Sequence, residues 1–179
     1  MKQFITLIAV FTLLCGVSFA QETDQSSDTD AAASTSSLPA VTLKDLEGNM
    51  VNFSEISNDG KPIVISFWAT WCHPCVSELT AINDMLVDWE EETGVKIYAV
   101  SIDDARNTAR VAPFANGRNW DFPVLLDANK ELYRAMNVVN VPHTFLLDGD
   151  LNIVYQHTSY KPGDEEELYE HILELVEED

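Results

Sequence analysis

Cysteine is scarce in this chain, with only Cys15, Cys72 and Cys75 among 179 residues. Three thiols cannot form the dense disulfide framework that holds many small secreted domains together. A structural zinc site takes about four ligands, and no second Cys-x-x-Cys pair follows the first. A disulfide between Cys72 and Cys75 would close a very short loop, so it would constrain the unfolded chain little. The pair therefore indicates chemistry rather than architecture.

Basic residues are also few. Lysine and arginine number 10 against 30 aspartates and glutamates, which gives a formal net charge of −20. A surface of this sign repels the phosphates of nucleic acids and anionic lipids. We therefore expect no nucleic-acid partner, and we interpret the acidic surface as a source of solubility.

The longest apolar run is confined to the beginning of the chain. Residues 1–20 contain one charge, an apolar run from Phe4 to Leu14 and small residues up to Ala20. This order predicts a secretory signal peptide cleaved after Ala20, with an uncleaved membrane anchor as the alternative. The run is short for a membrane span, which favours cleavage. Cleavage would remove Cys15 and place the protein outside the cytoplasm, in a periplasmic compartment.

Aromatic residues are absent from residues 21–37, which consist of Ser, Thr, Ala, Gln, Asp and Glu. Such a segment cannot bury enough apolar surface to order itself, so it is predicted to be a flexible tether. Order is expected to begin at Leu38, which leaves residues 38–179 as a single domain.

Strand and helix signals alternate along this domain. A hairpin is predicted over 41–53, a buried central strand over Ile63–Trp68, and a long helix through Val76 and Trp89 that ends at Gly94. The later elements are predicted as a strand over 95–102, a weak helix over 104–116, a strand over 122–126, a short helix over 130–136, a hairpin of 144–147 with 153–157, and a helix over 164–178. This order predicts an α/β fold with a mixed sheet covered on both faces.

The cysteine pair lies where the predicted central strand gives way to the long helix. Cys72 stands just before the helix, where backbone N–H groups and the helix dipole stabilise a thiolate. Cys75 lies in the first helical turn, and Pro74 is tolerated there because first-turn N–H groups lack helical partners. We therefore predict that Cys72 is the attacking thiol and Cys75 the resolving one.

Two segments resemble a known family. The sequence FWATWCHPC, from Phe67 to Cys75, is similar to the active-site segment of the TlpA/ResA-like thiol–disulfide oxidoreductases of the thioredoxin superfamily. The sequence VPHTFL, from Val141 to Leu146, resembles the loop that carries the family's cis-proline. The resemblance extends from Leu38 to Val176. It implies a thioredoxin-like three-layer α/β/α sandwich with a mixed central sheet and an N-terminal β-hairpin extension.

The resemblance also implies roles for individual residues. Cys72 and Cys75 would form the redox-active disulfide, with no cofactor and no metal. Cytoplasmic thioredoxins usually have a buried aspartate where this chain has Ser66, and the exported branch offers Glu78 as a substitute proton acceptor. Glu78 follows Cys75 by three residues, so the two share a helix face. The alternative for Glu78 is an ordinary solvated position on the helix.

Substrate contacts are implied on both sides of the cysteine pair. The residues concerned are Trp71, His73, Pro74, Val141, Pro142 and His143. Two roles stay open for His73, an imidazolium that stabilises the thiolate or a neutral spacer. For His143 the alternatives are a charged ring beside the thiolate and a ring in solvent. We interpret His157 and His171 as surface or helix residues.

These expectations define one leading function and two alternatives. A monomeric enzyme of this family would reduce disulfides of exported proteins, such as apocytochromes, with electrons from a membrane thiol donor. Alternatively, Cys72 and Cys75, with His73 or His143, could bind Cu(I) as a metallochaperone. A peroxiredoxin-like peroxidase is less consistent with the sequence, because Ala69 occupies the threonine position of the Pro-x-x-x-Thr-x-x-Cys pattern.

Overall fold

The computed structural model describes residues 38–177. The strands are β1 (Thr42–Asp45), β2 (Met50–Asn52), β3 (Ile63–Trp68), β4 (Lys96–Ser101), β5 (Val124–Leu126), β6 (His143–Leu147) and β7 (Ile153–Thr158). The α-helices are α1 (His73–Thr93), α2 (Val111–Asn116), α3 (Glu131–Ala135) and α4 (Asp164–Glu177). The predicted signal peptide and tether, residues 1–37, lie outside the described residues. Between residues 38 and 177 no helix has the length and apolarity needed to cross a bilayer.

The strands form one mixed sheet in the order β2-β1-β5-β4-β3-β6-β7. β3, β4 and β5 run parallel, whereas β1, β2, β6 and β7 pair antiparallel with their neighbours. The β1–β2 hairpin adds to one edge of the sheet, as the sequence predicted. The mixed sheet and the N-terminal hairpin are confirmed.

Helices cover both faces of the sheet. Successive side chains of β3 alternate between the faces. Trp68 packs against Phe114 of α2 with ring centroids 5.7 Å apart, while Phe67 packs against Tyr133 of α3 at 6.2 Å. α2 and α3 therefore lie on opposite faces, and β3 between them is completely buried. This arrangement confirms the predicted three-layer sandwich.

The long helix α1 begins and ends where local signals place it. Cys72 is its N-cap residue and Pro74 lies in the first turn. Gly94 follows the helix in the left-handed conformation, with φ of 66°, and its N–H donates to the carbonyl of Glu90. Glycine reaches this conformation without the steric cost of a Cβ, which explains why the helix ends there.

The weak helix predicted over 104–116 is wrong in its first half. The Asp104 side chain accepts hydrogen bonds from the backbone N–H groups of Arg106 and Asn107 and folds this segment into a turn. Short polar side chains compete with helical hydrogen bonding in this way. A 3₁₀ turn at Thr108–Arg110 then leads into α2.

Candidate active site

Cys72 lies at the junction between β3 and α1, disulfide-bonded to Cys75. Its backbone is extended, with φ of −93° and ψ of 96°, and its Sγ accepts a hydrogen bond from the backbone N–H of Cys75 at 3.3 Å. A backbone N–H directed at the sulfur at a helix N-terminus favours the thiolate form. Cys72 therefore lies just before the helix, as the sequence predicted, and a backbone N–H donor is directed at its sulfur.

The two cysteines differ in their access to solvent. Cys75 is completely buried, whereas Cys72 retains 6% of its surface and stands between exposed residues. Trp71 is 62% exposed, and His73 and Pro74 are also exposed. A protein substrate would therefore meet Cys72 and its neighbours before it could meet Cys75.

The Val141–Pro142 peptide bond is cis, as the resemblance predicted. Pro142 is buried and Val141 half-buried. In the β3–β6 pairing His143 is opposite Phe67, at the end of β3 that leads to Cys72. The loop and the cysteine pair therefore lie at the same end of the sheet.

Glu78 is almost completely buried on α1, 1% exposed, which excludes the solvated alternative. Its Oε1 accepts hydrogen bonds from Thr144 Oγ1 at 2.6 Å and from His157 Nε2 at 2.8 Å. The hydroxyls of Thr144 and Ser66 are also 3.0 Å apart. Glu78 therefore belongs to a buried polar cluster that extends from α1 to the sheet.

Strand register explains this cluster. Ser66 of β3 pairs with Thr144 of β6, and Thr144 pairs with His157 of β7. Residues paired across neighbouring strands point to the same face of a sheet. Ser66, Thr144 and His157 thus form a row that faces Glu78. Our sequence-based interpretation of His157 as a surface residue is wrong, because its partner becomes visible only once the register of β6 and β7 is known.

His143 points to the other face, since it adjoins Thr144 in the strand. Its ring is buried and stacks on Phe145 at 4.1 Å, and its Nε2 lies 3.1 Å from Oε1 of Gln156. Burial lowers the pKa of the imidazole, so the ring is neutral at pH 7. Neither sequence-based alternative, a charged ring beside the thiolate or a ring in solvent, describes this position.

Asp103 supports the segment that leads into the cysteine pair, and sequence reasoning missed it. This buried carboxylate accepts hydrogen bonds from the backbone N–H of Thr70 at 2.8 Å, from the Thr70 hydroxyl at 2.6 Å and from Ser101 Oγ at 3.0 Å. Bonds to an ionised acceptor are stronger than those between neutral groups. They fix the turn after β3, two residues before Cys72.

Comparison with known proteins places the chain in a family. A model of the AhpC/TSA family matches residues 35–156. The chain belongs to this family. It is 29% identical over 161 residues to the thiol-disulfide oxidoreductase ResA of Geobacillus kaustophilus (strain HTA426), covering 89% of this chain and 90% of the relative.

Solved structures agree with this assignment. A thioredoxin-like protein from Porphyromonas gingivalis is 50% identical, with a TM-score of 0.71 over 79% of this chain and 92% of that one. A putative thiol:disulfide interchange protein DsbE from Chlorobium tepidum is 27% identical, with a TM-score of 0.69 over 78% and 95%. With the disulfide-bonded Cys72 and Cys75 in place, the chain is a thiol–disulfide oxidoreductase with a thioredoxin-like fold.

The peroxiredoxin alternative gains little from the comparisons. Peroxiredoxin Q of Xanthomonas campestris shares the fold, with a TM-score of 0.62 over 75% of this chain and 93% of that one, but at 22% identity the likeness concerns the fold alone. Ala69 still occupies the position where a peroxidatic site has threonine. Within residues 38–177, no three His, Cys, Asp or Glu side chains are grouped to hold a metal ion.

Proposed function

We propose that this protein reduces disulfide bonds of exported proteins outside the cytoplasm, with Cys72 as the attacking thiol and Cys75 as the resolving one. The observation that carries the proposal is the asymmetry of the pair. Cys72 caps α1 and accepts the Cys75 N–H, while Cys75 is completely buried on the helix that carries Glu78.

The reaction proceeds in two exchanges. The Cys72 thiolate attacks one substrate sulfur, which forms a mixed disulfide and releases the other substrate sulfur as a thiolate. The Cys75 thiol then gives its proton to Glu78, and the new thiolate attacks Cys72 Sγ. The second substrate thiolate leaves, and the protein holds the Cys72–Cys75 disulfide that the structure contains. The substrate has gained two electrons and the protein has lost them. A membrane thiol donor must therefore reduce the Cys72–Cys75 disulfide before the next cycle.

The substrate segment would lie between the cysteine loop and the cis-proline loop. Exposed Trp71, His73 and Pro74 form one side, and Val141 and Pro142 form the other. The His143 ring is buried on the sheet face opposite Thr144 and His157. A contact from His143 to the substrate would therefore be made through its backbone. Substrates with a disulfide in an extended segment, including apocytochromes, suit this arrangement.

Export is proposed from the charge, apolar run and small residues of residues 1–20. The acidic composition fits a protein that stays soluble beside an anionic membrane. Such a protein transfers electrons from a membrane donor to exported proteins, so it must be located outside the cytoplasm.

A reductase assay tests the proposed activity. The reduced protein, supplied with dithiothreitol, is expected to precipitate the B chain of insulin faster than dithiothreitol alone, and turbidity follows the reaction. Cys72→Ala is expected to abolish the acceleration, because the attacking sulfur is lost. Equal rates with and without the wild-type protein would contradict the proposal.

A further inference from the structure

Glu78 is a buried carboxylate, and such a group requires compensation. Removing an ionised carboxylate from water is costly unless donors or an opposite charge replace the water. Among the described residues, the titratable side chain in hydrogen-bond contact with Glu78 is His157, whose side chain is 14% exposed. His157 therefore provides one of the two polar contacts that replace water around the buried carboxylate.

The two oxygens of Glu78 have different environments. Oε1 holds both hydrogen bonds, from Thr144 and His157. Oε2 is buried and has no hydrogen-bond partner among the residues that the structure describes. Cys75 lies three residues earlier on the same face of α1. Oε2 is therefore the oxygen left to receive the thiol proton.

Other titratable groups near the cluster do not replace His157. His143 on β6, Tyr155 on β7 and Tyr160 beyond β7 interact electrostatically with Glu78. Burial lowers the pKa of His143 and raises the pKa values of both tyrosines, so all three are neutral at pH 7. Of the four groups, His157 alone donates a hydrogen bond to the carboxylate.

We propose that His157 is a positioning residue for thiol–disulfide exchange: its Nε2–H holds Oε1 of Glu78, so that the carboxyl group presents Oε2 to the Cys75 thiol. The proposal rests on the proposed function, in which Glu78 is the proton acceptor. A donor to the ionised form favours that form. The bond weakens when Glu78 becomes neutral, so His157 acts on the second exchange and not on the attack by Cys72.

The test separates the two exchanges with Ellman's reagent. Cys72 attacks the reagent and releases one thionitrobenzoate, and Cys75 then displaces the second from Cys72. Stopped-flow absorbance follows both releases across a pH series. His157→Asn and His157→Gln form a matched pair: both supply an amide, but only the glutamine amide extends as far as the imidazole Nε2.

His157→Asn is expected to slow the second release about tenfold at pH 7 and to shift its pH profile upward, since one hydrogen bond to a charged group is lost. The first release is expected to stay within about twofold of wild type, because the donor at Cys72 is unchanged. His157→Gln is expected to restore most of the second rate. His171→Phe, which replaces a histidine paired with Glu174 on α4, serves as a control with unchanged rates.

If the second thionitrobenzoate is released from His157→Asn at the wild-type rate, the inference is overturned. Equal slowing of this release by His157→Asn and His157→Gln would also overturn it. Equal slowing of both releases would also overturn it, because that result indicates general distortion of the site. Glu78→Gln separates this inference from the proposed function. If the second release is slow in Glu78→Gln but not in His157→Asn, only the role of His157 is contradicted. If the second release has the wild-type rate in Glu78→Gln, the role of Glu78 as proton acceptor is contradicted as well.

Discussion

Cys75→Ala is expected to accumulate covalent complexes with substrate proteins through Cys72. Without the resolving thiol, the mixed disulfide has no internal nucleophile to displace the substrate. Because Cys72 is the less buried of the two cysteines and its Sγ accepts the Cys75 N–H, it remains competent to attack. Incubating the reduced variant with envelope extract and separating the products without reductant should show these complexes, and peptide mass spectrometry should locate the linkage at Cys72.

Cys72→Ala is the matched control for this experiment. It retains Cys75, which is completely buried, so we expect no complexes. Complexes of similar yield through Cys75 in this variant would reverse the assignment of attacking and resolving thiols. Preferential alkylation of Cys75 in the reduced wild-type protein, at limiting reagent, would contradict it independently.

Glu78→Gln is expected to slow the second exchange about 100-fold at pH 7 while the fold is retained. A positioned general base typically contributes a factor of about 10² or more, and glutamine cannot accept the thiol proton. Its amide oxygen can still accept the bonds from Thr144 and His157 that Oε1 now holds. Release of the second thionitrobenzoate measures the effect, and its rate should rise with pH as the thiol itself ionises without a base.

Stability separates this effect from damage to the fold. Glutamine has nearly the shape of glutamate and keeps an acceptor for Thr144 and His157, so the fold should be retained, and the free energy of unfolding measures any loss of stability. Glu91→Gln changes an exposed glutamate of the same helix and serves as a control with unchanged rates. A wild-type second rate in Glu78→Gln would remove Glu78 from the mechanism.

Local signals predicted much of the fold. The buried β3 could be read from a continuous apolar run, and the end of α1 could be read from Gly94. Cys72 and Cys75 were recognisable because an N-cap and a first helical turn are close in sequence. In each case the physical cause lies within a few residues of the feature, so the sequence alone contains it.

The polar cluster behind the cysteine pair could not be predicted in the same way. Glu78 and His157 are 79 residues apart in sequence, and their contact depends on the register of β6 against both β3 and β7. Asp103 likewise reaches Thr70 across 33 residues. The resemblance to a family identified Glu78, but only the structure connects it to a histidine at the sheet edge.

Reduction, rather than oxidation, of exported proteins is the central proposal, and the reduction potential of the Cys72–Cys75 couple tests it most directly. The protein is equilibrated with graded ratios of reduced and oxidised dithiothreitol or glutathione, and the fraction of disulfide is measured by alkylation and mass spectrometry. We expect a reduction potential below about −200 mV for this two-electron couple, toward the value of about −270 mV for thioredoxin. A value near the −120 mV or so of the oxidant DsbA, or the absence of a reversible couple, would contradict the proposal.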